Sequence, residues 1–327
     1  MYLEEQSLDD ILMRLYTDFS TEEWDYVSAT KGPNYEKRSV LIRLNKPRSR
    51  VSMTEGKGTI FSCLGELIWY LSGSNNLEQI QYYLKDYHKF SDDGKTIYGS
   101  YGPRVFGPKR KNQMENIIRL LRKNPESRKA VIQIFSGKDI KKPHKDVPCT
   151  CTLQFMVRDS KLHLFTSMRS NDMYRGLPHD IFSFTMIQEI VARRLGVDLG
   201  VYNHYVTSMH LYEHDIEAAK RFMREGWQDS EEMPAMPTTN IKANIRNLII
   251  FERDVRHGKQ VDIFNYFESP YWSDLGRLLQ FFWHSNNQNN NSELSKIKSS
   301  FQHGTYNHYL EKRLKSINTK DKNCASL

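Results

Sequence analysis

The apolar residues in the centre of the chain change their spacing from a helical period to a strand period and back again. A helix-like repeat is followed by three short runs rich in β-branched and aromatic residues, then by a long apolar helix and one more strand. Elements that alternate this irregularly favour an α+β fold over a doubly wound one. The predicted elements are helices at 112–123 and 181–195, and strands at 130–135, 151–158, 162–168 and 201–209.

Helical patterns also flank this central region. Residues 7–16 begin with a capping-box arrangement of Ser7 and Asp10, and residues 59–72 end at a glycine that can terminate a helix. Further helical patterns follow beyond residue 250. We therefore expect a catalytic domain over residues 1–250, with residues 251–327 as an α-helical extension packed on it.

Composition excludes several classes of protein. No apolar run in the 327 residues approaches the roughly 18 that a membrane helix needs, and no secretory signal is visible at the start. The four cysteines are too few for a disulfide scaffold, so a cytoplasmic location is expected. The net charge of +8 suits nucleic acid, an anionic membrane, a phosphorylated ligand or simply a soluble surface. The cysteines lack the paired spacing of zinc ligands, so no metal is predicted.

Cys149 stands at the start of a predicted strand, directly after a proline. A free cysteine is usually a small buried apolar residue, and that alternative stays open here. Cations nearby in the sequence argue for a reactive thiol, because positive neighbours stabilise a thiolate. These cations are Arg128 and Lys129 before it and Arg169 after it. Cys149 is therefore a candidate nucleophile.

Two polar segments follow Cys149 along the chain. Arg169 and Ser170 end a predicted strand, where a guanidinium beside a hydroxyl suits an anionic phosphate. The alternative is a solvated turn before the next helix, with Asp180 as the residue that caps it. Strand alternation places His210 and Tyr212 on the same side of a later strand, and two such polar aromatic groups suit the hydroxyl groups of a sugar.

Glu66 lies within the apolar helical segment 59–72. A carboxylate in such surroundings costs free energy to bury unless it is protonated, hydrogen-bonded or used in catalysis. The alternative is that Glu66 occupies the solvated face of the helix. The sequence alone leaves both interpretations open.

These features, in this order, resemble the thymidylate synthase family and its pyrimidine-nucleotide hydroxymethylase relatives. The resemblance covers roughly residues 28–225 and implies an α+β, thymidylate synthase-like fold with a mixed β-sheet flanked by helices. The segments that carry it are Glu66-Leu67-Ile68-Trp69-Tyr70-Leu71-Ser72-Gly73, Tyr98-Gly99, Asn124-Pro125-Glu126-Ser127-Arg128-Lys129, Pro148-Cys149, Arg169-Ser170-Asn171-Asp172, Gly176-Leu177-Pro178 and His210-Leu211-Tyr212.

The resemblance implies a role for each candidate residue. Cys149 is then the nucleophile that adds to C6 of a pyrimidine, which lets C5 attack the one-carbon unit of 5,10-methylenetetrahydrofolate. Glu66 is the matching acid–base group, and Tyr98 is the tyrosine that assists proton removal from C5. The other matches are Arg169 and Ser170 for the nucleotide phosphate, His210 and Tyr212 for the sugar, Asp172 and Gly176 for the folate, and Arg128 with Lys129 for the phosphate site of the partner subunit in a homodimer.

Asp180 departs from the pattern of the synthases that act on dUMP. Those enzymes carry asparagine there, whose amide donates to O4 and accepts from N3–H of uracil, whereas an ionised carboxylate only accepts. Cytosine offers an amino group and, once protonated, an N3–H, so both groups donate to one carboxylate. The family's cytosine nucleotide hydroxymethylases are similar in carrying aspartate at this position. Together, the resemblance and this departure predict conversion of dCMP to 5-hydroxymethyl-dCMP.

Other departures leave alternatives open. Lys129 replaces the second arginine of the family's pair, and the N-terminal arginine-bearing loop is shortened, with Lys31 as the nearest phosphate candidate. The extension replaces the hydrophobic C-terminus that closes over the folate in the family, which fits an enzyme that admits water to the reaction. The alternatives are CMP as the substrate, thymidylate synthase activity on dUMP and, from the positive charge, nucleic-acid binding.

Overall fold

The computed structural model describes residues 1–29, 31–107, 112–287 and 291–324. The strands are β1 (Tyr2–Glu5), β2 (Asp25–Ala29), β3 (Gly32–Leu44), β4 (Val131–Gln133), β5 (Thr150–Arg158), β6 (Lys161–Asp172) and β7 (Asp198–Tyr212). The helices are α1 (Leu8–Thr21), α2 (Ile60–Leu71), α3 (Leu77–Tyr83), α4 (Gly102–Phe106), α5 (Gln113–Lys123), α6 (Gly176–Leu195), α7 (Ile216–Glu225), α8 (Ile241–Arg256), α9 (Pro270–Asn287), α10 (Asn291–Ser299) and α11 (Asn307–Cys324).

The strands form one mixed sheet in the order β1-β3-β7-β6-β5-β4, with β2 paired to β3. The β1–β3 and β6–β7 pairs are parallel, and the other pairs are antiparallel. Side chains alternate across the sheet, so Val40 and Ile42 are fully buried under the helices while Leu41 between them is exposed. The predicted α+β fold with a mixed sheet flanked by helices is confirmed.

Helix α6 forms the centre of the helical layer. Most of its residues are buried, and it packs against α2, β6 and β7. It ends at Gly196, whose φ of +74° is the left-handed conformation that terminates many helices. It begins at Gly176, earlier than the predicted start at residue 181, because Pro178 lies in the first turn, where the missing N–H breaks no helical hydrogen bond.

The C-terminal helices share the core of the rest of the chain. Phe61 of α2 stacks on two aromatic rings of α9, Phe281 at 6.1 Å and Phe282 at 5.5 Å between centroids. The boundary expected at residue 250 lies within α8, which has buried apolar residues on both sides of it. In the part of the chain that the structure describes, we find no helix with the length and apolar character needed to cross a membrane.

Candidate active site

The site lies where β6 and β7 end side by side and α6 begins. These two strands are parallel, with Ser170 opposite Ser208 and Asp172 opposite His210, so their polar carboxyl ends meet at one edge of the sheet. The rings of His210 and Tyr212 lie 5.1 Å apart between centroids, which confirms that they share one side of the strand. The nearby hydroxyl of Ser170 is 3.3 Å from Nδ1 of His210. Two predicted segments, residues 169–172 and 210–212, are thus brought together by the sheet.

Cys149 lies directly before β5 and is partly buried. The guanidinium of Arg169 donates to its sulfur over 3.7 Å, and to the carbonyl oxygens of Val147 and Pro148 over 3.0 Å each. Burial raises the pKa of the Cys149 thiol, and the charges of Arg169 and Lys31 oppose that increase. Arg169 therefore both holds the segment before the cysteine and supplies the positive charge at its sulfur.

Glu66 is buried in α2, with 5% of its surface exposed, so the alternative that it occupies a solvated face is wrong. Its Oε1 accepts hydrogen bonds from the hydroxyls of Tyr70 and Tyr87, each at 2.8 Å. These two donors satisfy a carboxyl group that would otherwise be costly to bury. The Glu66 carboxyl is therefore held in one position by two tyrosine hydroxyls.

The structure places Tyr98 differently from its predicted role. Its hydroxyl donates to Asp139 over 3.0 Å, and its ring stacks on His144 at 3.5 Å between centroids. Tyr101 instead contacts the residue after the cysteine, since its hydroxyl accepts from the backbone N–H of Thr150 at 3.3 Å and from its Oγ1 at 3.2 Å. The sequence analysis missed Tyr101, although a second Tyr-Gly pair three residues after the first was a usable signal.

Asp180 lies inside α6, four residues after the helix begins, so it does not cap the helix. It is 9% exposed, and its Oδ2 accepts a hydrogen bond of 2.7 Å from Nδ2 of Asn171. Burial, reinforced by the charge of Glu66, raises the pKa of Asp180 to about 8. A pKa of about 8 favours the protonated form of the ligand-free carboxyl at neutral pH, whereas the sequence analysis treated this group as a carboxylate.

The two predicted folate residues lie next to Asp180. Oδ1 of Asp172 accepts from the backbone N–H groups of Tyr174 and Arg175, at 2.8 and 3.1 Å, and burial raises the pKa of this carboxyl. Gly176 is required by a close approach, because a Cβ there would lie 3.1 Å from Nδ2 of Asn171.

Lys57 is a buried cation that sequence reasoning missed. It is 7% exposed, and its ammonium lies 3.2 Å from the centroid of the Tyr174 ring. Burial lowers the pKa of Lys57 to about 8, and Asp172 and Asp215 oppose that decrease. A lysine between two glycines carried no pattern from which this position could be predicted.

The other three predicted phosphate ligands lie in two places, with Lys31 close enough to the cysteine for its charge to act on the thiol and with Arg128 and Lys129 before β4. Lys31 pairs with Asp146 at 3.6 Å and lies 4.4 Å over the ring of Phe90. Arg128 and Lys129 are exposed in the segment before the edge strand β4, where the carbonyl of Arg128 accepts from Nε2 of Gln154 at 2.9 Å. Neither Arg128 nor Lys129 forms an ion pair with any residue that the structure describes.

Comparison with known proteins agrees with this arrangement. Residues 39–273 match the family described as thymidylate synthase. Three phage proteins named deoxyuridylate hydroxymethyltransferase are similar. That of Delftia phage PhiW-14 is 31% identical, covering 58% of this chain and 56% of the phage protein. Those of Pseudomonas phage M6 and Bacillus phage SP01 are 31% and 30% identical, covering 51% and 56% of this chain.

The chain spans about half the length of each of these relatives. The matched region of the family extends from β3 into α9, and it includes the cysteine, the strand ends and the start of α6 described above. The motifs, the fold and this match agree, and the chain belongs to the thymidylate synthase family.

Proposed function

We propose that this protein is a pyrimidine nucleotide 5-hydroxymethylase, which transfers a one-carbon unit from 5,10-methylenetetrahydrofolate to C5 of dCMP and adds water. The observation that carries the choice of cytosine is the buried carboxyl of Asp180, at the position where synthases acting on dUMP have an amide. The names of the three phage relatives support hydroxymethyl transfer.

A protonated Asp180 suits cytosine because the carboxyl and N3 of the base share one proton. The carboxyl donates to N3 while its other oxygen accepts from the amino group of the base. When Cys149 adds to C6, electrons move towards N3, which becomes basic and takes the proton. The contact therefore strengthens as the reaction proceeds, which is the requirement for a catalytic interaction.

The remaining residues have distinct roles in this proposal. Arg169 stabilises the thiolate of Cys149 and, with Ser170, binds the phosphate. His210 and Tyr212 hold the sugar. The resemblance assigned removal of the C5 proton to Tyr98; we assign it instead to Tyr101, whose hydroxyl contacts the residue after the cysteine. Glu66, held by two tyrosines, orients the attacking water.

The residues near Asp172 fit a folate. Lys57 is a buried ammonium that, within the described residues, lies against a ring rather than a carboxylate, and such a cation suits the anionic end of a folate. Asp172 and Gly176 would hold the pterin, and the bound folate supplies the one-carbon unit.

A second candidate substrate is dUMP, which the printed names of the relatives favour. The protein is incubated with dCMP, dUMP or CMP together with formaldehyde and tetrahydrofolate, and the nucleotide products are identified by mass spectrometry. We expect 5-hydroxymethyl-dCMP without dihydrofolate. If hydroxymethyl-dUMP is the main product, dUMP replaces dCMP as the proposed substrate. If CMP is turned over preferentially, the substrate is the ribonucleotide. Formation of dihydrofolate would indicate thymidylate synthase activity.

We also propose a homodimer formed through the open face of the sheet. This face carries large apolar side chains that are 37–40% exposed, which is unusual for a monomer. Leu41 of β3 is paired with Tyr205 of β7, and Gln154 of β5 is paired with Val131 on one side and Phe165 on the other. A second copy would cover this face, and Arg128 and Lys129 would reach the phosphate site of the other subunit.

Mixing two inactive variants tests this arrangement. Cys149→Ser subunits lack the nucleophile, and Arg128→Ala subunits lack the phosphate ligand that they give to their partner. A mixed dimer contains one site with an intact cysteine and an intact arginine, so we expect activity to return after the variants are unfolded together and refolded. If Arg128 acts within its own chain, mixing restores nothing. Refolding each variant alone is the control.

The raised pKa of Asp180 predicts a pH dependence for nucleotide binding. The carboxyl keeps its proton below about pH 8 and loses it above, and cytosine needs that proton. The dissociation constant of dCMP from the Cys149→Ser protein should therefore increase roughly tenfold per pH unit above pH 8. Calorimetry between pH 7 and 9.5 measures it, with dUMP binding to an Asp180→Asn variant as the control. A constant dCMP affinity over this range would contradict the expectation.

A further inference from the structure

Four buried side chains form an unbroken hydrogen-bonded series that ends on Asp180. The hydroxyl of Tyr202 is 2.7 Å from Nδ1 of His204, and Nε2 of His204 is 3.2 Å from Oδ1 of Asn171. Nδ2 of Asn171 then donates to Oδ2 of Asp180 at 2.7 Å. Tyr202 and His204 are fully buried and Asn171 is 3% exposed, so the series is shielded from solvent.

The series has one direction. Burial lowers the pKa of His204 to about 3, so its ring is neutral and carries one N–H. The amide oxygen of Asn171 can only accept, so Nε2 of His204 carries the ring proton and donates to it, and Nδ1 is left to accept from the phenol of Tyr202. The amide N–H is thereby directed at Asp180. Each group determines the orientation of the next one.

The orientation of the Asn171 amide depends on hydrogen bonding alone. The oxygen and nitrogen of an amide are nearly equal in size, so packing does not decide which of them faces Asp180. The first turn of α6 lies close to this amide, since a Cβ at Gly176 would be 3.1 Å from Nδ2. His204 supplies the choice, because it donates to the oxygen.

We propose that Tyr202 and His204 are positioning residues that keep the N–H of Asn171 on Asp180 and so stabilise the carboxylate that Asp180 becomes when its proton passes to cytosine. This inference rests on the proposed function. N3 of the base faces Oδ2 and the amino group faces Oδ1. As the bond from sulfur to C6 forms, the C5–C6 electron pair moves towards C4 and N3, the O–H bond of Asp180 breaks and N3–H forms. Oδ2 then accepts from both N3 and Asn171.

Other ionisable groups also act on Asp180. Glu66 of α2 and Asp172 at the end of β6 raise its pKa, and His179 of its own helix lowers it. The hydrogen bond from Asn171 also lowers it. A substitution at His204 changes the orientation of the Asn171 amide and leaves Glu66, Asp172 and His179 in place. A change in the titration of Asp180 in such a variant therefore reports on the hydrogen-bonded series.

The titration of Asp180 in the ligand-free protein is the first test. Carboxyl ¹³C resonances of labelled aspartate are followed against pH, and Asp180 is assigned as the signal missing from Asp180→Asn. In His204→Leu the amide of Asn171 loses its donor and can reverse, so we expect the Asp180 midpoint to rise by roughly one pH unit. His204→Gln can accept from Tyr202 and donate to Asn171, and we expect it to keep the wild-type midpoint.

The second test is turnover of dCMP by the same variants. We expect kcat to fall roughly 10- to 100-fold in His204→Leu with KM changed less than about threefold, to fall less in Tyr202→Phe, and to be restored by His204→Gln. Thermal unfolding identifies any variant that fails to fold. Equal effects of Leu and Gln, or an unchanged Asp180 midpoint in folded His204→Leu, would overturn the inference. A shifted midpoint in a protein that does not turn over dCMP would instead reject the proposed substrate.

Discussion

Replacing Cys149 by serine is expected to abolish turnover while leaving dCMP binding largely intact. An alcohol is a far weaker nucleophile than a thiolate, so addition to C6 should slow on the order of 10⁴-fold or more. In the proposed site the phosphate and sugar contacts come from Arg169, Ser170 and His210, and the substitution changes only the atom at the end of the Arg169–Cys149 contact. The result expected is an inactive protein with a dissociation constant within about threefold of wild type.

Release of tritium from C5-labelled dCMP measures this step, because exchange at C5 requires prior addition at C6. Cys151→Ser is the matched control, since this second cysteine lies two residues further along the same strand, with its sulfur 4.0 Å from the carbonyl oxygen of Cys149. We expect Cys151→Ser to retain tritium release. Exchange that continues in Cys149→Ser, or that is lost equally in both variants, would remove Cys149 from the mechanism.

Replacing Asp180 by asparagine is expected to invert the choice of base. The N–H of Asn171 selects the oxygen of the new amide, so its NH₂ group faces the exocyclic position of the base. That NH₂ suits O4 of uracil and opposes the amino group of cytosine. The ratio of kcat/KM for dCMP to that for dUMP should fall on the order of 10³-fold.

Competition between labelled dCMP and dUMP in one reaction gives this ratio directly. Asp172→Asn is the control, because it changes a neighbouring buried carboxyl that we place on the folate side; we expect lower turnover with both nucleotides and an unchanged ratio. If Asp180→Asn leaves the ratio as it was, the carboxyl does not choose the base and the proposed preference for cytosine fails.

Much of the site could be predicted from the sequence because its residues stand at the ends of strongly patterned elements. Cys149 lies directly before β5, Arg169 and Ser170 lie near the end of β6, and Asp180 lies near the start of the long helix α6. Parallel pairing of β6 and β7 then brings their ends together. The burial of Glu66, which the sequence left open, was decided by the structure.

Contacts between distant segments could not be predicted in this way. The choice of Tyr101 over Tyr98 beside the cysteine depends on how α4 packs near β5, and the sequence offers two equivalent Tyr-Gly pairs. Lys57 and His204 occupy positions that local patterns describe as a loop and as an ordinary strand residue. Their importance comes from burial, which neither spacing nor composition reveals.

The sequence by itself determined the α+β class, the order of the functional segments and the family, because local periodicity and short motifs are sufficient to predict each of these. Only the tertiary structure decided the protonation of Asp180 and the hydrogen-bonded series behind it. A pKa depends on the exclusion of water, on charges such as that of Glu66 and on hydrogen bonds such as the one from Asn171, and separate elements contribute them. Such a field exists only once the chain has folded.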